Sequence, residues 1–423
     1  MTDVLVIGAG MAGVTAARQL AQAGVSVLLV EGGQRLGGRI QTLRDFCSAP
    51  VEAGAEFIHG VGAETWPDVK AAGLHVRACP HTRDAMFNVG AGAQWLPRVL
   101  LHPGVWPAVT ILRRLRRLQG PDMSAREFIA ANRYRGRARI MAQMVLTAHL
   151  PGSIDDVGVR GLIEDGVLQL ETGLNHRIVE GYDRLVAQIA RDLDCEMGFA
   201  VDTVRWSVDG VSVRAADGRE RSARAAVCTL PVGVLKSRQV RFVPDLPENK
   251  RAALQLIEMG SVCKILLRFE ERFWPQRLAT LACGVGPVTL YWSVFYRAPD
   301  GPPVLTAYAT GPRAAALSAL SEDEATAVVV DDLRRLFPEA APKLLAQRRI
   351  DWTTDPLSLG GYTFLRPGGS GARAQLAAAD TGALFWAGSA TATRTIAATV
   401  EGAFVSGMRA AAEACAFLER RGR

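Results

Sequence analysis

Apolar positions along this chain fall into two recurring patterns. At the start, Val4 to Ile7 form a short apolar run, the length of a strand buried on both faces. Gly8-Ala9-Gly10-Met11-Ala12-Gly13 follows, Val14 to Ala23 has helical character, and Gly24 stops it. Val25 to Val30 predict a second apolar strand, with Glu31 at its end. Further along, Phe199-Ala200-Val201, Val211-Ser212-Val213 and Ala225-Ala226-Val227 read as strands, with turns at Asp209-Gly210 and Asp217-Gly218. Val262 to Phe269 and Thr289 to Phe295 predict strands of a second sheet. Ser321 to Phe337 predicts a helix, with Ser321 as N-cap, Glu324 three residues on as in a capping box, and Pro338 beyond the end. Phe385-Trp386-Ala387 predicts a short strand, followed by a Gly/Ser/Thr loop and a last helix from Val400 to Arg420. Residues 77–175 look mainly helical, punctuated by Pro97, Pro103, Pro107, Pro121 and Pro151.

The first strand, glycine turn and helix form a βαβ unit with a mechanical job for each part. Gly8 allows the tight turn out of the strand, Gly10 lets a pyrophosphate approach the backbone, and Gly13 lets the helix pack closely on the sheet. The helix N-terminus offers unpaired N–H groups and a positive dipole end to phosphates. Glu31 stands where a carboxylate accepts hydrogen bonds from ribose hydroxyls. The unit therefore predicts binding of a cofactor that contains ADP.

Composition narrows the class. A chain of 423 residues, 49% of them hydrophobic, has material for two domains. The first strand starts at Val4 and no apolar stretch is long enough for a membrane span, so neither a signal peptide nor a membrane partner is expected. The seven cysteines are scattered, with no Cys-x-x-Cys pair and no Cys/His cluster, which excludes a zinc site and fits free thiols in a cytoplasmic protein. The net charge is +7. Its densest basic stretch, Arg113 to Arg139, carries Ile111, Leu112, Leu115 and Leu118 at helical spacing. A solvated helix face is expected there rather than a nucleic-acid site.

Past Glu31 the chain reads Arg35-Leu36-Gly37-Gly38-Arg39, and here it resembles the flavin-containing amine oxidase superfamily, which includes monoamine and polyamine oxidases. Gly54-Ala55-Glu56-Phe57-Ile58-His59-Gly60 is similar to the segment that passes the flavin ring. Ala226 to Lys236 is similar to the second FAD-contacting strand and turn. Gly260-Ser261-Val262-Cys263-Lys264 with Phe273-Trp274 resembles the strand carrying the lysine near flavin N5. Trp352, Asp355-Pro356 and Gly360-Gly361-Tyr362 resemble the substrate-side wall. Trp386-Ala387-Gly388 and Thr399-Val400-Glu401-Gly402-Ala403 resemble the last FAD motif.

The resemblance implies an α/β fold: a Rossmann-like FAD-binding domain of the glutathione-reductase-like (GR2) type, interleaved with an α+β substrate-binding domain. The FAD-binding domain is expected from residues 1–76, 176–253 and 354–423, the substrate-binding domain from 77–175 and 254–353. It also implies the cofactor contacts. Gly8, Gly10, Met11, Ala12, Gly13, Glu31 and Gly32 belong to the nucleotide unit, and Arg35, Gly37, Gly38 and Arg39 to the turn beyond it. Gly54, Ala55, Glu56 and Phe57 pass the ring, with Val204, Thr229 and Trp352. Gly388, Ser389, Thr399 and Val400 close the set. Lys264, Tyr362 and Trp352 are the implied catalytic residues, with His59 and Phe57 in the substrate pocket. Glu164, Asp165 and Glu171 are expected to form a solvated acidic face, with attraction of a cationic amine as the alternative.

The activity implied is hydride transfer from the α-carbon of a primary or secondary amine to flavin N5, imine hydrolysis, and reoxidation by O2 with release of hydrogen peroxide. Lys264 would hold a water at N5. Gly361 stands where monoamine oxidases carry the cysteine that links flavin, so FAD is expected to be non-covalent. Several positions depart from the family pattern. Thr395-Ile396-Ala397-Ala398 lacks the second aromatic before the terminal motif, Ser389 replaces a usual acid, and Gly33 replaces a common arginine. An L-amino-acid oxidase, a related desaturase, and a flavin-binding interaction protein without turnover are the alternatives. Oligomeric state leaves no signal in the sequence.

Overall fold

The computed structural model describes residues 2–80, 84–147, 150–166, 174–380, 382–393 and 396–422. Its first element, β1 (Val4–Ile7), is buried along its whole length, as a continuous apolar run demands of a central parallel strand. It lies in the middle of a five-stranded parallel sheet. The strand order is Cys195–Glu196, β2 (Val27–Val30), β1, Ala225–Cys228 and Leu384–Trp386. The sheet draws on the start, middle and end of the sequence: β1 pairs with Ala225–Cys228 in register, Val4 opposite Ala225 and Ile7 opposite Cys228, and Ala225–Cys228 pairs in turn with Leu384–Trp386.

Helix α1 (Met11–Gln22) begins immediately after the glycine turn. A Cβ on Gly13 would stand 1.8 Å from the Gly8 carbonyl oxygen, so only glycine lets the helix start this close to its strand. The C-terminal helix, Val400–Arg420, packs across α1. It too needs a bare position, because a Cβ on Gly407 would lie 2.4 Å from the Ala12 carbonyl oxygen.

A seven-stranded sheet forms the second layer, in the order Leu344–Asp351, Val262–Phe269, Val304–Thr310, Leu290–Ser293, Thr280–Cys283, Ala85–Asn88 and Gln94–Trp95. Its central strands are covered on both sides. Cys263, Ile265 and Leu267 face a core with Leu305, Ala307 and the helix Glu322–Leu336. Leu266, Leu290 and Trp292 face a core with the helices between Leu96 and Glu164. Smaller sheets join the layers: Ile58–His59 with Leu174–Ile178 and Val76–Pro80, and Ile257–Gly260 with Tyr362–Leu365. Residues 201–243 add a four-stranded sheet.

The expected capping box is present at Ser321 and Glu324. Val262–Phe269 and Val400–Arg420 have the expected bounds, whereas α1 starts at Met11, and the strand expected at Phe199 to Val201 is Val201–Trp206. The stretch from 77 is less helical than its proline spacing suggests. Val76–Pro80, Ala85–Asn88 and Gln94–Trp95 are strands: the first two are paired by segments distant in sequence, and Gln94–Trp95 folds back on Ala85–Asn88 as a hairpin. The arginine-rich helix Ile111–Arg116 buries Ile111 and Leu115 and exposes Arg113, Arg114 and Arg116, a solvated face as expected.

Gly407→Ala is expected to push α1 and the C-terminal helix apart and to lower stability by about 1–3 kcal/mol. The thermal unfolding midpoint of the variant measures it. A midpoint equal to the parent's would remove close packing of these helices as the reason for the glycine.

Candidate active site

One cavity of about 800 Å³ runs from the β1–α1 turn to an aromatic end between the two large sheets. At its first end, Gly8, Gly10, Met11 and Ala12 supply backbone. The N-cap of α1 is Gly10, which caps no N–H with a side chain, and the first turn holds no acid. Those donors and the helix dipole face the cavity, and the first turn itself brings no acid to them. Glu31 stands across from them. One carboxylate oxygen accepts the Ala9 N–H at 2.7 Å and the other the Gly33 N–H at 2.8 Å. Both are thereby aimed at the turn, and each keeps a lone pair for a further donor.

Arg39 is the cation of this end. It donates to the Gly361 carbonyl at 2.6 Å and to Ser389 Oγ at 3.5 Å, and among the described residues it makes no ion pair. Burial pushes its pKa down to about 10, against the opposing field of Asp355. A buried guanidinium without a counter-ion fits a phosphate-bearing ligand. Arg35 also lines the cavity, but its guanidinium is spent on the carbonyls of Ile40 and Gly38, at 2.9 and 2.7 Å. It holds the Gly37-Gly38 turn in shape.

Most other sequence-implied contacts line the same cavity: Gly32, Gly37, Gly38, Gly54, Ala55, Glu56, Phe57, Thr229, Trp352, Gly388, Ser389, Thr399 and Val400. Two do not. Gly13 acts beneath the turn through packing. Val204 is fully buried in the core of its strand, and Val201, near the start of that strand, lines the cavity instead.

The far end is built on period-two geometry. Lys264 lies opposite Tyr308, and Tyr308 lies opposite Leu290 on its other side. Trp292, two residues from Leu290, therefore shares their face. The Lys264 ammonium is 2% exposed and all three of its donors are used: Glu52 O at 2.8 Å, Gly54 O at 3.1 Å and Glu56 Oε2 at 3.1 Å. To hold a water it must exchange one of those acceptors. Glu56, which lines the cavity, is also the hub of a buried network. Arg177 Nε donates to it at 2.7 Å, and Trp292 Nε1 to its two oxygens at 3.1 and 3.0 Å. The Arg177 and Lys264 charges hold its carboxyl below the usual range against the penalty of burial.

Trp352 donates to the Ala53 carbonyl at 3.3 Å. The Tyr308 and Tyr362 hydroxyls meet at 3.1 Å, both pushed up in pKa by burial. His59 pairs with Asn175 Oδ1 at 2.9 Å, and burial lowers its pKa, which favours the neutral ring. Phe57 sits edge-on to Trp292 with centroids 5.8 Å apart and carries the Arg177 guanidinium over its face. Asp165 is not on a solvated face: it is buried and paired with Arg373. Glu164 accepts from Ser370 and Gly371, and Glu171 lies outside the described residues, as does Thr395.

Arg177, Trp292, Tyr308 and Asn175 were not singled out in the sequence. Their partners lie far away in the chain, and only Trp292 fell in a predicted strand. Among the described residues no acid/His/Cys cluster suits a metal ion, and no helix is long and apolar enough to cross a membrane.

The model of the flavin containing amine oxidoreductase family matches residues 11–415, and the chain belongs to that family. It is an oxidoreductase acting on amines, and its family implies FAD. Polyamine oxidase 3 of Oryza sativa subsp. japonica is 30% identical over 437 residues, covering 97% of this chain and 88% of that protein. Cyclohexylamine oxidase from Brevibacterium oxydans IH-35A superposes with a TM-score of 0.86 at 22% identity, covering 99% of this chain and 100% of that one. Putrescine oxidase bound to putrescine superposes at 0.81 and 20% identity, covering 98% and 99%. These likenesses show a shared fold.

Glu52 lies behind Lys264, and burial pushes its carboxyl up to about 7 from an ordinary 4.5. A raised folded-state pKa means the native protein binds the proton more tightly, so stability is fully present below the ordinary value and is lost as pH rises through about 7. Glu52→Gln is expected to flatten the fall in unfolding midpoint between about pH 5 and pH 8. Parallel curves for parent and variant would refute the assignment.

Proposed function

We propose that this chain oxidises a primary or secondary amine, using non-covalent FAD and O2 and releasing hydrogen peroxide. The observation that carries the reading is one continuous cavity, with an anion cradle at one end and the Tyr362, Tyr308, Trp292 and Lys264 cluster at the other. When bound, FAD supplies the N5 acceptor for a hydride from the amine's α-carbon and passes the electrons to O2; the imine left behind hydrolyses.

The chain's own residues bind and orient. The α1 N-terminus and Arg39 receive the phosphates, and Glu31 accepts ribose hydroxyls. Tyr362 and Trp352 form the wall against which a neutral amine is held, and the buried aromatic end excludes bulk water. Lys264, by releasing a carbonyl acceptor, holds a water at the ring edge. His59 and Phe57 border the pocket.

The finer fold reading is a GR2-type FAD-binding domain from 1–76, 176–253 and 354–423, and a substrate-binding domain from 77–175 and 254–353. The parallel sheet draws every strand from the first set, and the seven-stranded sheet every strand from the second. Gly361 in place of a linking cysteine supports release of intact FAD.

Three measurements test the reading. Peroxide release across polyamines, aromatic amines and amino acids should find a substrate; no peroxide and no anaerobic flavin bleaching would sink it. Acid precipitation should leave the flavin in the supernatant, and yellow pellets would mean a covalent link. Lys264→Met should keep FAD and slow turnover or oxygen reactivity by about tenfold or more, and unchanged kinetics would remove Lys264 from the mechanism.

A further inference from the structure

A cavity that takes an amine must deal with whatever charge the rest of the substrate carries. At the aromatic end the lining carboxylate is Glu56, and both of its oxygens are committed to Arg177, Lys264 and Trp292. Each of the other carboxylates lining the cavity accepts at least one hydrogen bond. Asp165 is paired with Arg373 and Asp202 with Arg214. Glu31 takes the Ala9 and Gly33 N–H groups, and Asp355 takes that of Leu357. Glu52, behind Lys264, does not line the cavity. At the aromatic end, among the described residues, Glu56 is thus the carboxylate that lines the cavity, and it is already paired.

A cation does face it. Arg177 is 8% exposed, yet it lines the cavity. Its Nε is used on Glu56, and one terminal nitrogen on the Ser293 and Val294 carbonyls at 3.0 and 2.8 Å. The other terminal nitrogen, Nη2, has no hydrogen-bond partner among the described residues. Arg177 and Lys264 are thus two cations lining this end against one lining carboxylate, with the Glu52 carboxyl behind them and outside the lining. An incoming ammonium that drew on Glu56 would have to displace Lys264, Arg177 or Trp292 and strand a buried donor. Phe57, Leu290 and Trp292 offer apolar surface to an uncharged tail.

We infer that Arg177, held by Glu56, is a specificity-determining residue that restricts this site to amines with no second positive charge: monoamines, in preference to diamines and polyamines. The inference rests on the amine-oxidase reading above. No bond is made or broken by Arg177; it acts by repulsion at short range in a water-poor cavity.

The test compares pentylamine with 1,5-diaminopentane, which have the same chain length, using the FAD-loaded enzyme. Per amino group, kcat/KM should favour pentylamine by about tenfold or more, the scale of one close like-charge contact. Binding read anaerobically from flavin absorbance should rank the two in the same order. Arg177→Gln should shrink the preference several-fold, and Arg177→Lys should retain it. Equal or better use of the diamine by the parent overturns the inference, as does a preference unchanged in flavin-loaded Arg177→Gln. Should Arg177→Gln fail to fold, the parent's ratio and that of Arg177→Lys decide. Should no amine be oxidised, the function reading fails, while the absorbance titration still ranks the two ligands and tighter diamine binding still overturns this one.

Discussion

The Glu56 carboxylate is the interaction on which the site's far end depends. It joins three segments that are remote in sequence: its own loop, the strand Leu174–Ile178 through Arg177, and the strand Val262–Phe269 through Lys264. Trp292 adds a fourth. Each of these charges is nearly water-free, so each would be expensive alone. Together they are paired through Glu56, and among the described residues only Arg177 Nη2 of the network's donor atoms is left without an acceptor. That is a constraint on shape as much as a source of stability. Loss of Glu56 would leave two buried cations without the carboxylate they share.

The nucleotide end is held by a different device, which is the absence of side chains. The Gly8 carbonyl occupies the space where a Gly13 Cβ would stand, and the Ala12 carbonyl encroaches on that of Gly407. Close backbone packing fixes the turn and aims unpaired N–H groups into the cavity. One end of the cavity is thus shaped by what is missing and left short of negative charge. The other is filled with charge that is already spent.

The two ends also differ in how far the sequence disclosed them. The nucleotide unit is local: strand, turn, helix and acid lie within residues 4–31, and each leaves a pattern. The capping box at Ser321, the helix Val400–Arg420 and the strand Val262–Phe269 were legible for the same reason. The aromatic end is non-local. Arg177 reaches Glu56 across 121 residues, and Tyr308 meets Tyr362 across 54. Period-two alternation was unreadable in Val262–Phe269 because both faces are buried, so a lysine in an apolar run gave no clue to its partners. Val204 was misplaced by the same blindness, since a strand's pattern does not say which of its residues reaches a cavity. Asp165 read as solvated because Arg373 lies 208 residues away.

The charge pattern finally bears on how Lys264, an anchor of the network, could also take the part proposed for it. An ammonium bound only by a carboxylate would be hard to draw away, and one bound only by carbonyls would be costly to keep charged in a dry site. Lys264 has one carboxylate and two carbonyls. Giving up a carbonyl for a water costs little net hydrogen-bond energy, while the Glu56 contact persists. Arg177 limits how strongly Glu56 can grip, because the carboxylate's charge is shared between two cations. The guanidinium proposed to repel a second substrate charge thus also shares the carboxylate that holds the lysine. A variant that relaxes substrate choice at Arg177 should therefore alter the reactivity of Lys264 as well.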